Sequence, residues 1–176
     1  ASARAALLPV LRSKMFPLPA RTLLRQGQWQ GPAQACATLS YDDRFLRRKR
    51  IDCDGSGSVL VDMAETVSLE AGDALQTDDG RLIEIAAAEE PVVEVRGPNL
   101  ARLAWHIGNR HTPCQVGDDR LVIRPDHVLE AMLEGLGATL TPIIAPFRPE
   151  GGAYGHGRTL GHDHGPHGFP MAYAHG

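Results

Sequence analysis

Short apolar runs, interrupted by clusters of Asp and Gly, make up the first half of this chain. The runs carry Val, Ile and Leu at alternating positions, which is the pattern of strands with one buried face. They are Ala37–Tyr41, Arg50–Cys53, Ser58–Met63 and Arg81–Ala87. The clusters that separate them are Asp42-Asp43, Asp54-Gly55-Ser56-Gly57 and Asp78-Asp79-Gly80. Because Gly and Asp are typical of tight turns, the sequence predicts a small all-β domain over residues 1–89.

A different pattern begins after Glu90. The predicted elements are a strand Val92–Arg96, a helix from Pro98 to about Asn109, strands near Cys114–Val116 and Leu121–Arg124, a helix from Asp126 to about Leu136, and a strand Ala138–Ile144. Pro98 suits the first helical position, Asp126 can cap the second helix, and Gly137 can end it. This β-α-β-β-α-β order is typical of the ferredoxin-like arrangement, in which two helices pack on one face of an antiparallel sheet. The sequence therefore predicts an α+β protein whose second domain covers residues 90–149.

The composition shifts abruptly to Gly, Pro and His from Pro149 onward. Residues 150–176 hold too few apolar side chains for a core, so we expect a tail that is disordered without metal. Five of the eight histidines lie there: His156, His162, His164, His167 and His175. Neutral imidazole binds nickel, copper and zinc, and several rings on one flexible segment can surround a single ion. We therefore predict metal binding by the tail, with little selectivity because no rigid cage fixes the geometry.

A second histidine site is predicted at the end of the first helix of the second domain. Gly108 and Asn109 can terminate that helix, which leaves Arg110 and His111 in a surface turn. A single turn histidine is more often an exposed polar residue than a ligand, and one imidazole is too few for a metal site. A homodimer with His111 near its two-fold axis would supply two ligands from one position.

Three further residues near this turn differ in their expected roles. His127 follows the predicted cap Asp126 and can either face the same region as His111 or be an ordinary first-turn residue. His106 lies in the last helical turn, where the helix dipole favours a positive imidazole, so we expect a structural role. Cys114 can offer a soft thiolate, but small cysteines in short strands are more often buried, so it is left out of the predicted site.

Charge and cysteine content limit the classes of function. A formal net charge of −3 argues against a general nucleic-acid binder. No apolar run approaches the ~18–20 residues of a membrane span and the start of the chain has no signal-peptide layout, so we expect a cytoplasmic protein. Three widely spaced cysteines form neither a disulfide framework nor a paired zinc site. The basic stretch Arg47–Arg50 is short and without aromatic residues, which favours a solvated strand edge, with a protein-docking surface as the alternative.

Several motifs taken together resemble the UreE family of urease accessory proteins. They are Gly108-Asn109-Arg110-His111, Asp126-His127-Val128-Leu129, the turns Leu69-Glu70-Ala71-Gly72-Asp73 and Asp79-Gly80, the stretch Phe147–Tyr154, and the histidine-rich C-terminus. The resemblance covers nearly the whole chain, and the combination is more specific than any one element.

The resemblance implies a β domain of peptide-binding character, a ferredoxin-like metal-binding domain, and a homodimer that holds Ni(II) between protomers through His111. His127 matches a position where the family can carry a further metal-binding histidine, whereas Pro125 stands where some members have another. The implied role is delivery of nickel to the urease apoenzyme together with a GTPase and other accessory proteins. The chain has no phosphate-binding loop of the GxxxxGKS or GxxxxGKT type, so any GTP hydrolysis belongs to a partner. Zn(II) and Cu(II) are alternative metals for the same sites.

Three other classes of function compete with this one. An enzyme is not expected, because the sequence has no HExxH run, nucleophile elbow or catalytic Cys-His pairing. A metal buffer or sensor without a delivery role would need the tail alone. A peptide-binding chaperone with an incidental metal site would not depend on His111.

Overall fold

The computed structural model describes residues 18–151. Contacts divide these residues into two compact units, one reaching Glu90 and including Ile144–Arg148, the other comprising Pro91–Ile143 and residues 149–151. The two groups of elements predicted from the sequence are both present, and residues 18–151 form a sheet-rich two-domain fold with two short helices. Apart from Glu150 and Gly151, the predicted histidine-rich tail lies outside the described residues.

The first unit is built on one six-stranded sheet. Its strands are β1 (Pro19–Leu24), β2 (Ala35–Leu39), β3 (Phe45–Cys53), β4 (Gly57–Ser68), β5 (Ala74–Thr77) and β6 (Leu82–Ala87), in the order β2-β6-β5-β1-β4-β3. All four strands predicted for this region are found, with β3 and β4 longer than predicted. Strands β1 and β5 were not predicted. The turns hold glycines with positive φ where the sequence places them, as at Gly55 (70°) and Gly80 (85°).

The core of this unit comes from alternate positions of its strands. Its buried side chains include Ala37, Ile51, Val61, Leu75 and Ile85. The end strands of the sheet order meet near Asp54, whose backbone N–H donates to the Cys36 carbonyl at 2.7 Å. The Thr38 hydroxyl donates to the Asp54 carboxylate at 2.6 Å in the same place. The sheet therefore curves enough to bring its two edges together at one end.

The second unit contains two helices and a four-stranded sheet. Its elements are β7 (Glu89–Arg96), α1 (Leu100–Gly108), β8 (Cys114–Val116), β9 (Leu121–Ile123), α2 (His127–Gly135) and β10 (Thr139–Pro146), and the sheet order is β10-β7-β9-β8. The pairs β7/β9 and β8/β9 are antiparallel. The core contains Val93, Val95, Leu103, Ile107, Leu121, Ile123, Leu129 and Leu133. Each helix thus contributes two buried residues four positions apart, the spacing of one helix face.

Capping residues determine where each helix begins and ends. The start of α1 differs from the prediction: Asn99, not Pro98, governs it, because the Asn99 side-chain oxygen accepts the Arg102 N–H at 3.0 Å. A proline side chain has no oxygen that could accept this N–H, so Pro98 cannot be the cap and instead precedes it. The predicted cap Asp126 is confirmed, since its carboxylate accepts the N–H groups of Val128 and Leu129. Gly137 has φ of 86° just after α2, as a helix-ending glycine requires.

No helix within residues 18–151 is long and apolar enough to cross a membrane. The three cysteines Cys36, Cys53 and Cys114 are all unpaired.

Candidate metal centre

His111 occupies an unusual backbone conformation directly after α1. The chain leaves the helix through tight turns in which Arg110 N–H donates to the Ile107 carbonyl at 3.0 Å and His111 N–H to the Gly108 carbonyl at 2.9 Å. His111 itself has φ of 55°, and among residues 18–151 it is the sole residue other than glycine with positive φ. Its side chain is exposed. The predicted surface turn is therefore confirmed, and the left-handed conformation costs about 1–2 kcal/mol in a residue that carries a Cβ.

An exposed tryptophan lies on the same helix end. Trp105 is 63% exposed, and its ring meets that of His106 edge to face, with centroids 4.9 Å apart. Trp105 was not predicted as a site residue, although the helical spacing of the apolar residues in α1 indicates that it is exposed. Leu103 and Ile107 define the buried face of α1, and a residue midway between them must point away from the core. His106 packs against this indole, in keeping with a structural role.

His127 is the first residue of α2 and is exposed, next to the cap Asp126. Val128 beside it is 53% exposed. Nowhere in residues 18–151 do three or more His, Cys, Asp or Glu side chains form a group that could hold a metal ion. His111 and His127 are therefore not joined in a complete site by the described part of one chain. The other predicted ligands, His156, His162, His164, His167 and His175, lie outside the described residues.

The environment of Cys114 raises the pKa of its thiol. Burial, and secondly the negative charge of Glu150, raise the pKa of its thiol to about 11. Without metal the thiol is therefore protonated at neutral pH, and it is half-buried at the start of β8.

The segment that leads into the tail is anchored beside the same strand. The backbone N–H of Glu150 donates to the carbonyl of Cys114 at 2.9 Å. Cys114 follows His111 by three residues, so Glu150 is hydrogen-bonded to a strand that begins three residues after the His111 turn.

Two family models match consecutive parts of the chain. The UreE urease accessory protein N-terminal domain matches residues 18–88, and the UreE urease accessory protein C-terminal domain matches residues 90–175. The boundary between the two matches falls at Ala88, between β6 and β7.

Curated relatives give the same result over most of their lengths. The urease accessory protein UreE of Cereibacter sphaeroides is 67% identical over 153 residues, which cover 86% of this chain and 84% of the relative. That of Ruegeria pomeroyi is 60% identical over 148 residues, covering 84% of this chain and 99% of the relative. That of Rhodobacter capsulatus is 56% identical over 147 residues, covering 84% and 93%.

The two-domain fold with an exposed histidine turn is thus that of an accessory protein for urease, as distinct from urease itself. The chain belongs to the UreE family.

Proposed function

We propose that this chain is a nickel metallochaperone: it binds Ni(II) through His111 and delivers it to the urease apoenzyme during assembly of the urease active site. Family membership supports a role in urease maturation. The observation that carries the metal-binding part is the exposed His111 in a left-handed conformation. A backbone outlier that the surrounding structure maintains at an energetic cost is a common property of functional residues.

The proposed nickel site lies between two copies of the chain. One exposed imidazole per protomer does not hold nickel firmly, and a two-fold axis near His111 supplies two. The exposed Trp105 and Val128 support such an interface, because large apolar side chains, tryptophan above all, are the residues that contribute most to protein contacts. Ni(II) is the proposed cargo, with Zn(II) and Cu(II) as competitors for imidazole.

His127 and the tail histidines are proposed as further ligands. Glu150 is hydrogen-bonded to Cys114, and His156 follows it six positions further along the chain. Six residues of extended chain span about 20 Å. That reach supports a role for His156, and for the later tail histidines, in capturing nickel and bringing it to the folded site.

We also assign the second unit to the ferredoxin-like arrangement. The element order from β7 to β10 supports this, and so does the sheet order β10-β7-β9-β8, in which the first and third strands of the unit are central. The first unit is proposed to face partner proteins, including the urease apoenzyme complex and an accessory GTPase, in the cytoplasm.

The metal buffer is the principal competitor of this proposal. Nickel titration calorimetry, with light scattering for the mass, distinguishes a metallochaperone from a metal buffer. It is applied to the full chain, to a version ending at Gly151, and to that shorter version with His111→Ala. Ending at Gly151 keeps the Glu150–Cys114 hydrogen bond. We expect the short version to keep one tight nickel per dimer and His111→Ala to abolish it, whereas His106→Ala, the matched control, retains it. Loss of all binding on removing the tail would favour the buffer.

Delivery itself is tested in cells that depend on this chain for urease activity at limiting nickel. We expect His111→Ala to lower urease activity severely and His106→Ala to leave it near the original level. Unchanged activity with His111→Ala would favour a peptide-binding chaperone with an incidental metal site. Hydrolytic activity of the nickel-loaded chain that disappears with His111→Ala would favour an enzyme.

A further inference from the structure

Strand β3 presents four consecutive basic side chains at an edge of the first unit. Arg47, Arg48, Lys49 and Arg50 are all exposed, whereas residues of a strand ordinarily alternate between a buried and an exposed face. Strand β3 ends the sheet order, and β4 is the sole described strand that pairs with this stretch. The prediction of a solvated strand edge is confirmed.

The pairing of β3 with β4 has an irregular register, which explains why side chains on both faces of β3 are exposed at the basic stretch. Arg48 is opposite Asp62 and Leu46 is opposite Val67, so four residues of β4 face Arg47 alone. Such bulges increase the local twist and turn side chains away from the sheet. The opposite end of β3, near Asp54, is occupied by β2. Residues Leu46–Arg50 therefore form the open half of β3.

The four cations differ in how far their charge is neutralised. Lys49 forms an ion pair with Asp43 at 2.6 Å, and Arg48 lies 3.5 Å from Asp62. Arg47 and Arg50 form no ion pair with any carboxylate in residues 18–151. In a chain whose formal net charge is −3, this edge is a local concentration of positive charge that the fold leaves partly uncompensated.

We propose that the open half of β3 is a docking edge for an acidic, extended segment of a partner protein, which adds to the sheet as a further strand. An edge strand offers unpaired backbone N–H and carbonyl groups to an incoming strand. The cations repel basic segments, and covering them with an apolar segment costs the free energy of removing their charges from water. They therefore favour a strand that carries carboxylates.

We assign the occupant to another protein. Residues 1–17 contain no Asp or Glu, and residues 152–176 contain Asp163 alone. Neither terminal segment therefore offers the required run of carboxylates. A nucleic acid would use the charge but not the backbone edge, and Phe45 is the one aromatic residue of β3, whereas binding of a single strand uses several aromatic rings for successive bases. The proposal concerns partner docking and does not depend on nickel binding.

Binding of a labelled peptide to the full chain tests the proposal. The probe is a fluorescein-labelled, end-capped decapeptide of alternating Glu and Val, followed by fluorescence anisotropy at low salt. The variants are Arg47→Gln, Arg50→Gln and the double variant, with Arg102→Gln on α1 as the matched control for loss of one exposed, unpaired arginine. We expect about fivefold weaker binding with the double variant and no change with Arg102→Gln. Circular dichroism melting confirms that each variant folds.

Two further probes separate strand addition from general attraction of anions. The same peptide, N-methylated at every residue, keeps its charge but has no backbone N–H left to donate from either edge, and we expect it to bind much more weakly. We also expect slower hydrogen exchange at backbone amides of Leu46–Arg50 when the unmodified peptide is bound. Equal binding of the methylated peptide, or of the original peptide to the double variant, would overturn the proposal. So would tighter binding of a single-stranded oligonucleotide with the same dependence on Arg47 and Arg50.

Discussion

Arg44 donates a hydrogen bond to the backbone carbonyl of Phe147, 103 residues further along the chain. Both residues are fully buried. The rings of Phe147 and Tyr41 meet edge to face with centroids 5.2 Å apart, and the Arg44 guanidinium lies 5.5 Å from the centroid of the Tyr41 ring. A charged side chain thus fastens Ile144–Arg148 within the first unit.

Replacing Arg44 should destabilise this unit strongly. Arg44→Met keeps much of the side-chain volume but leaves the buried Phe147 carbonyl without its donor, which costs about 1–3 kcal/mol. We expect the midpoint of urea unfolding, followed by tyrosine and tryptophan fluorescence, to fall accordingly. Arg47→Met, an exposed arginine three residues away, is the control and should change stability by less than about 0.5 kcal/mol. Equal effects of the two substitutions would contradict a specific role for Arg44.

The positive φ of His111 predicts an order of stability among its variants. Glycine adopts left-handed conformations without the clash that a Cβ makes, whereas alanine retains that clash. We expect His111→Gly to be more stable than His111→Ala by about 1 kcal/mol, reduced by the greater entropy of glycine in the unfolded chain. Thermal unfolding of both full-length variants without metal measures the difference. If the alanine variant were the more stable, the turn would not be left-handed in solution.

Asp79 should remain ionised in unusually acidic solution. The guanidinium of Arg81, which donates to this carboxylate at 2.8 Å, and secondly the Thr77 hydroxyl lower the Asp79 pKa to about 2. Because this pKa is depressed on folding, its stabilising contribution is complete above the unfolded value of about 3.9 and disappears as pH falls from there towards 2. Carbon NMR titration of the carboxyl group measures the pKa. Arg81→Gln should raise it towards the ordinary value, and an unchanged midpoint would exclude Arg81 as the cause.

Cys114 should react slowly with alkylating reagents. The pKa of about 11 keeps its thiol protonated, so labelling by iodoacetamide should still accelerate at pH 10, where an ordinary thiol with a pKa near 8.5 has already reached its maximum rate. Peptide mass spectrometry follows Cys114 separately from Cys36 and Cys53. In urea the ordinary pH profile should return. A half-maximal rate near pH 8.5 in the folded chain would show that the thiol is not shielded.

Sequence patterns predicted those elements whose limits carry strong local chemistry. Asp126 and Gly137 enclose α2, and the Asp-Gly turns enclose β3, β4 and β6. Strands β1 and β5 escaped prediction because neither shows a clear alternation. β1 begins at a proline and carries two exposed polar residues in succession, and β5 has only four residues. Such strands are specified by neighbours distant in sequence.

The candidate site was predictable only where local sequence determines the structure. The Gly108-Asn109 pair signalled a turn, and the structure confirms both the turn and the exposure of His111. The left-handed conformation of His111 was not predictable from that pair, because the turn could equally have placed the positive φ on Asn109, a residue that tolerates it more readily. A shared site is also beyond one sequence, because its geometry belongs to two chains.

The hydrogen bond between Glu150 and Cys114 has a kinetic consequence for the proposed nickel transfer. A short tether fixes the local concentration of its ligands near the folded site at about millimolar levels, however dilute the protein is. Passage of an ion from His156 to the His111 turn would then be an intramolecular, first-order process. The rate of this transfer would not depend on protein concentration, whereas capture of the ion by the tail would still depend on the concentration of free nickel.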